Sequence, residues 1–377
     1  MRFLIFLTLS FFASNAFSGD FNLKTRIVSD VVLENHDSQN SKNEYDDARA
    51  RIRLFNNLEF KNGFALNSQI FLNRFDSDSQ KTARQNANDG GGDRFFDNQS
   101  IIFREFNLSY AGENYDVAAG KFNLNFGKAW VFNHGIWVRD LANQNYRLLE
   151  KLGVRGNYSV GDLKKTGKYS FGFSAFTGDS KNFDNAILNE RQSKTKNDVG
   201  FSRGLNSWLA TLDIDFDFGE KEKLSYHFGY ANQDISSKNS VIPIAQISNQ
   251  KSWVAAINYK YPLRDLIFDV LVEFAKVNDL GGNSFISEKY LTASLNTVFN
   301  ENWSFLNGIS RRQNIEKNAA GFDEEIFESS LQYSFLKNKF FDLLTIQAGF
   351  RNFRNDLKTS SETQKSLGLM LRYYKNF

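Results

Sequence analysis

From Phe21 onward the chain alternates apolar and polar side chains with a period of two, in one segment after another. Alternation of this kind places successive side chains on opposite faces of an extended strand, so each segment predicts a strand with two different surroundings. Trp208, Ala210, Leu212, Ile214, Phe216 and Phe218 take one face, against Thr211, Asp213, Asp215 and Asp217 on the other. Ala48, Ala50, Ile52 and Leu54 oppose Arg49, Arg51 and Arg53. Tyr169, Phe171, Phe173 and Ala175 oppose Ser170, Gly172 and Ser174, and Leu266, Phe268, Val270, Val272 and Phe274 oppose Asp269 and Glu273. About sixteen segments follow: 21–34, 46–61, 63–75, 100–111, 114–124, 150–160, 168–178, 206–218, 222–234, 251–261, 265–278, 287–299, 302–313, 324–336, 341–354 and 363–377. Alternation is weakest near Ile101 and Trp303, and helical periodicity is nowhere sustained.

The links between segments take turns between two classes. Short ones sit at Lys61-Asn62-Gly63, Ala111-Gly112-Glu113, Gly219-Glu220-Lys221, Tyr261-Pro262-Leu263-Arg264, Asn300-Glu301-Asn302 and Lys337-Asn338-Lys339, with a slightly longer one at 161–168. Between them lie polar links at about 35–45, 76–99, 125–149, 179–205, 235–250, 279–286, 314–323 and 355–362. The polar strand faces carry Arg, Asp and Glu in rows, and the apolar faces run with Phe, Tyr and Trp near their ends. A soluble β-sandwich would bury its apolar faces against protein. Charged rows on one side, aromatic girdles on the other and alternating link lengths instead predict an all-β, transmembrane antiparallel barrel, with short periplasmic turns and long external loops. Both ends of the chain then fall on the short-turn side.

The first eighteen residues place Arg2 before an apolar run from Phe3 to Leu9 and Phe11 to Ala13, followed by small residues, the pattern of a secretory signal peptide. Cleavage after Ala16 and cleavage after Ser18 both satisfy the small-x-small rule. The barrel is expected over 19–377. Composition agrees: 39 Phe and 14 Tyr stand beside 2 Pro, 2 Met and no Cys, which argues against a disulfide-stapled secreted scaffold. Mean hydropathy is −0.46, and 46 basic residues nearly balance 43 acidic ones, so nucleic acid is not an expected partner.

At the end of the chain Leu367, Leu369, Leu371 and Tyr373 alternate to Phe377 and resemble the C-terminal signature that barrel-assembly machinery recognises. Gly120 to Trp130 (GKFNLNFGKAW) resembles the Gly-Lys-x-x-x-x-Phe-Gly stretch where the fifth strand of porins enters the third long loop. In length, strand count and loop order the chain is similar to the sixteen-stranded general porins and to the related phosphate-selective type. That resemblance implies an outer-membrane porin of a Gram-negative bacterium, a passive channel for ions and small hydrophilic solutes. It implies a homotrimer, contact with outer-membrane lipid and lipopolysaccharide, and no cofactor. It also implies that 125–149 folds into the barrel as a constriction loop. The residues suit that role, since Trp130, Val131, Phe132, Ile136, Trp137, Val138, Leu141, Leu148 and Leu149 are too apolar for an exposed loop and need a wall to pack on.

Parity aims Lys24, Arg26, Arg49, Arg51, Arg53, Arg155, Arg351 and Arg372 at the lumen, all but Arg155 in one basic arc where the first and last strands meet. Asp213, Asp215, Asp217, Asp269, Glu273, Glu324 and Glu328 gather on the far wall, so a transverse field is expected. Porin constriction loops usually oppose carboxylates to the arginines, whereas this one offers Lys128, Arg139 and Arg147 against Asp140 alone, which predicts weak anion preference. Competing readings are a channel selective for phosphate or a small organic anion, and a structural or adhesive barrel. His36, His134 and His227 show no metal-ligand spacing, so no metal site is expected, and His134 with Ser100 or His227 with Ser225 gives catalysis little footing. Gly90, Gly91 and Gly92 between Asp89 and Asp93 follow no phosphate-loop spacing and read as a flexible loop.

Overall fold

A computed structural model describes residues 21–38, 45–74, 94–95, 99–178, 199, 204–219, 221–235, 247–317, 321–335, 340–357 and 360–377. The expected signal peptide, the glycine run at 90–92 and the turn at Lys337-Asn338-Lys339 lie outside them. Sixteen long strands form: β1 (Phe21–Ser38), β2 (Tyr45–Phe60), β3 (Phe64–Arg74), β4 (Gln99–Ala111), β5 (Tyr115–Phe122), β6 (Lys151–Asp162), β7 (Gly167–Gly178) and β8 (Ser207–Asp217). They continue as β9 (Lys223–Gln233), β10 (Gln250–Leu263), β11 (Leu266–Asn278), β12 (Ile286–Val298), β13 (Trp303–Glu316), β14 (Phe322–Phe335), β15 (Leu343–Leu357) and β16 (Ser360–Asn376). Each pairs antiparallel with its sequence neighbours, and β1 pairs with β16 from Arg26↔Asn376 to Ser38↔Gln364, closing the barrel. A two-residue strand, Arg94–Phe95, adds parallel to Asp47 and Ala48 of β2.

Every segment expected from the alternation has its strand, with ends that differ by a few residues. β1 runs on to Ser38 and β13 to Glu316 because their polar ends keep their ladder partners on β16 and β12. Phe21 lies opposite Phe60 and Asn376 opposite Arg26, so both ends of the described chain stand at the rim of the short turns. One of those turns depends on Gly63, at φ +86, where an added Cβ would meet the Ala111 carbonyl oxygen at 2.9 Å.

The weak alternation near Ile101 has a local cause. The register between β3 and β4 shifts between Gln69 and Ile70, so that Glu105 faces Gln69 while Phe103 faces Ile70, and Arg104 is the extra residue of a bulge. The bulge flips the parity of β4, so Arg104 joins Glu105 on the inner face. Near Trp303 the inner face of β13 packs against protein and carries apolar Leu306, which blurs the pattern. The outer face is apolar and open, with Phe171, Phe173, Phe228, Val270, Leu291, Phe327, Ile346 and Leu369 exposed. The packed core lies inside the barrel, between the inner wall and the segment that joins β5 to β6.

Candidate functional site: an arginine-lined lumen beside an internal loop

The segment between β5 and β6 turns into the barrel and carries two short helices, α1 (Ala129–Phe132) and α2 (Asp140–Asn145). Its apolar side chains divide between two clusters on the inner wall. Phe126, Ala129, Ala142, Tyr146 and Leu148 pack with Leu209, Ala231, Val254, Leu271, Ala275 and Tyr290. Ile136, Trp137 and Leu141 pack with Val32, Ile326 and Met370. Full burial of each large side chain contributes roughly 1.5–3 kcal/mol. Trp137 fits because the wall beneath it is bare: a Cβ on Gly368 would lie 2.4 Å from its ring. Val131 is the exception among the expected wall-packing residues and stays exposed.

A chain segment turned inward leaves backbone N–H groups without strand partners, and they need acceptors. Two wall glutamates supply them. Glu328 accepts the N–H groups of Ile136 at 2.7 Å and of Trp137 and Val138 at 2.8 Å. Glu273 accepts those of Lys128 and Ala129 and the Tyr146 hydroxyl. Glu273 and Glu328, expected from parity to be wetted lumen carboxylates, are therefore buried clamps, 1% and 0% exposed. Further latches come from Glu34, which accepts the Trp137 indole N–H at 2.7 Å, and from Asp213, 2.8 Å from the Lys128 ammonium. Asp269 adds a contact of 3.6 Å to His134.

The basic arc also needs correction. It is interleaved with two carboxylates of β1 that the charge pattern had passed over. Asp30 pairs with Arg372 at 2.6 Å, Arg53 at 3.1 Å and Arg51 at 3.6 Å, and Glu34 pairs with Arg49 at 2.6 Å. Both carry the parity of Lys24 and Arg26, so the signal was present in the alternation. Arg351 contacts His36, Gln364 and Ser366 and sits 5.5 Å from the Trp137 ring. Lys24 pairs with Glu59 at 2.7 Å. On the far wall Asp215 accepts from Ser225, Asp217 sits at the β8–β9 turn, where it accepts the Gly219 N–H, and Glu324 pairs with Arg312. Arg312, which also holds Glu288, had no sequence signal apart from parity. Phe377 exchanges backbone hydrogen bonds with Thr25, its ring exposed.

Arg155, set apart from the arc by sequence order, joins it in space. Arg26, Arg51, Arg53, Arg104, Arg139, Arg147, Arg155 and Arg372 line one cavity of about 570 Å³, and among the described residues Asp30 and Glu105 are its only carboxylates. Four of these guanidinium groups lie over aromatic rings: Arg26 over Phe55 and Arg104 over Phe71 at 4.0 Å, Arg147 over Trp130 at 3.5 Å and Arg155 over Phe122 at 5.4 Å. Each ring holds its guanidinium against the cavity wall, and Arg104 also lies 3.8 Å from Glu150. Arg26, Arg139 and Arg155 have no carboxylate within ion-pair distance among the described residues. In the internal loop, burial and the neighbouring Arg372 and Arg51 push Arg139 down to about 9, which leaves it charged at neutral pH. Asp140 of the same loop is pushed up by burial, against the pull of Arg49 and Arg51. A second cavity, about 600 Å³, opens toward the short turns between Lys24, Asn57, Asn67, Asn107 and Asp116, and shares Arg26, Phe55, Glu105 and Arg155 with the first. Open space thus follows the β1–β6 side while the loop fills the other.

His227 donates through Nδ1 to Asp213 at 2.8 Å and accepts the Gly127 N–H at Nε2, while Ser225 donates to Asp215, so these two residues form no nucleophile–base pair. Glu34, His36 and Asp47 do come together within 4.8 Å of one another. Arg49 and the Trp137 indole already occupy Glu34, and Ser366 and Arg351 meet His36 at Nδ1, so the cluster is a latch and not a cation cradle.

A closed sixteen-stranded barrel with an aromatic, apolar exterior and a polar interior is an outer-membrane-type β-barrel. No protein-family model and no curated protein matches the sequence. Solved structures of Gram-negative outer-membrane barrels do match the fold. A loop L8 deletion mutant of OmpT, an outer membrane protein of Vibrio cholerae, aligns at TM-score 0.53 and 13% identity over 95% of this chain and 100% of its own. The outer membrane channel DcaP of Acinetobacter baumannii aligns at TM-score 0.52 and 14% identity over 94% and 97%. OccAB1 of Acinetobacter baumannii aligns at TM-score 0.50 and 9% identity, again over 94% and 97%.

Proposed function

We propose that this protein is a porin-like channel of the Gram-negative outer membrane, through which ions and small hydrophilic solutes diffuse passively and anions pass preferentially. The observation that carries this reading is the cavity of eight arginines and two carboxylates beside the internal loop. Near a low-dielectric wall, local charge outweighs the near-neutral total of the chain. Export by the 1–18 signal peptide, assembly through the Phe377 signature, a homotrimeric state and contact with lipopolysaccharide belong to the same proposal. Purified barrel in a planar bilayer under a salt gradient should give a reversal potential on the anion side and an ohmic conductance. A cation-side potential removes the anion preference, and a silent bilayer with folded barrel removes the channel.

A second reading, selectivity for a small oxyanion, is favoured by Arg26 and Arg155, guanidinium groups held over Phe55 and Phe122 with no carboxylate within ion-pair distance among the described residues, whose N–H groups suit bidentate donation to a carboxylate or phosphate. Saturation of conductance by inorganic phosphate separates it from simple anion preference.

A further inference from the structure

Toward the long links, the outer wall carries charges that the lumen does not use. Aromatic side chains form a row across the outer face of β7–β11: Phe173 and Trp208 have centroids 6.4 Å apart, Trp208 and Tyr230 5.4 Å, and Trp253 and Phe274 5.0 Å. Tyr230 and Trp253 are cross-strand partners. Such a row marks the boundary between hydrocarbon and headgroups. On β10, β11 and β12 a lysine stands two residues beyond an outward apolar side chain, about 7 Å further along the strand. These are Lys251 beyond Trp253, Lys276 beyond Phe274 and Lys289 beyond Leu291.

Lys276 and Lys289 are directly opposite each other across β11 and β12, an arrangement that is destabilising in the absence of a counter-charge. Elsewhere on this rim the protein supplies one: Arg311 pairs with Asp323 at 2.9 Å and Arg354 with Asp356 at 2.7 Å. Lys251, Lys276 and Lys289 have no such partner among the described residues. The neighbouring 236–246 link holds no Asp or Glu and one more lysine, Lys238. Among the described residues no carboxylate neutralises them, and at the height of the headgroups lipid phosphates are available counter-charges.

We propose that Lys251, Lys276 and Lys289 form a binding site for the phosphorylated headgroup of an outer-leaflet lipid, with Trp253 and Phe274 packing beneath it. Lysine stems lie along the apolar wall and lift their ammonium groups into the phosphate layer. The site rests on the membrane placement proposed above but not on the pore.

Barrel in a neutral detergent is titrated with bis-phosphorylated lipid A, with its dephosphorylated counterpart and with inorganic phosphate, read by native mass spectrometry and thermal unfolding. The phosphorylated lipid should bind and raise Tm, and its affinity should fall at least tenfold in the Lys276→Ser/Lys289→Ser variant and fall with salt. Conductance of the variant should be unchanged. Equal binding of dephosphorylated lipid, or unchanged affinity in the variant, overturns the proposal. Equal protection by inorganic phosphate overturns the assignment to lipid. If the double variant does not fold, Lys276→Gln and the three wild-type titrations still decide. A barrel that binds phosphorylated lipid but conducts nothing fails the channel reading alone.

Discussion

Glu328 shows how one residue can serve as wall and as hinge pin. A carboxylate this deeply buried is tolerated only when hydrogen bonds replace its water, and three loop N–H groups do so. Glu328→Gln keeps one acceptor oxygen but turns an amide NH2 toward backbone donors. The expected loss is about 1.5–3 kcal/mol of loop anchoring, read as a lower Tm with larger, noisier single-channel conductance. Unchanged conductance and Tm would show that the loop does not depend on this clamp. Alternation alone could not reveal the clamp, because a carboxylate facing water and one facing an inward loop have the same parity. Asp30 and Glu34 were legible by that same parity; their pairing with Arg372, Arg53, Arg51 and Arg49 required the closure of β1 on β16 and the register with β2.

Strands were the most legible elements, because lipid on one face and water on the other impose a period of two. The pattern failed where a third surrounding intrudes: the bulge at Arg104, invisible in a sequence, and the inner faces of β13 and β14, where Leu306 is buried and Ile326 packs on the loop instead of water. On β8 the two solvents are cleanly separated. Leu212 lies opposite Phe228 and Phe171 on the outer face, whereas Asp213 faces Lys128 and His227 within the lumen. Leu212→Arg should therefore hinder insertion, since a cation at the bilayer midplane costs roughly 2–4 kcal/mol on a barrel exterior. Asp213→Asn should insert at normal levels and weaken the hold on Lys128 and His227 inside the lumen. Heat-modifiable mobility of membrane fractions distinguishes the two, and normal insertion of the arginine variant would place this strand in the wrong register.

At the scale of the molecule the loop divides the lumen, and the division decides which charges a permeating ion meets. Most carboxylates of the far wall are held by the loop or by Arg312, Asp215 by Ser225 and Asp217 by the Gly219 N–H, so the field along the remaining path is set by the arginine side. Replacing Arg49, Arg51 and Arg53 together would test this badly. Asp30 and Glu34 are buried beside them, and a buried carboxylate stripped of its partner is destabilising by about 3–5 kcal/mol. Arg26, Arg139 and Arg155 form no direct ion pair among the described residues, so their combined change to alanine removes three positive charges from the cavity with less disturbance of the wall. The reversal potential should then move toward cations. Glu105→Gln, at the junction of the two cavities, should move it the other way. Both shifts should shrink near 1 M salt, where the screening length is about 3 Å. Shifts of the same sign in the two variants, or none in either, would mean that ions do not travel along the β1–β6 wall.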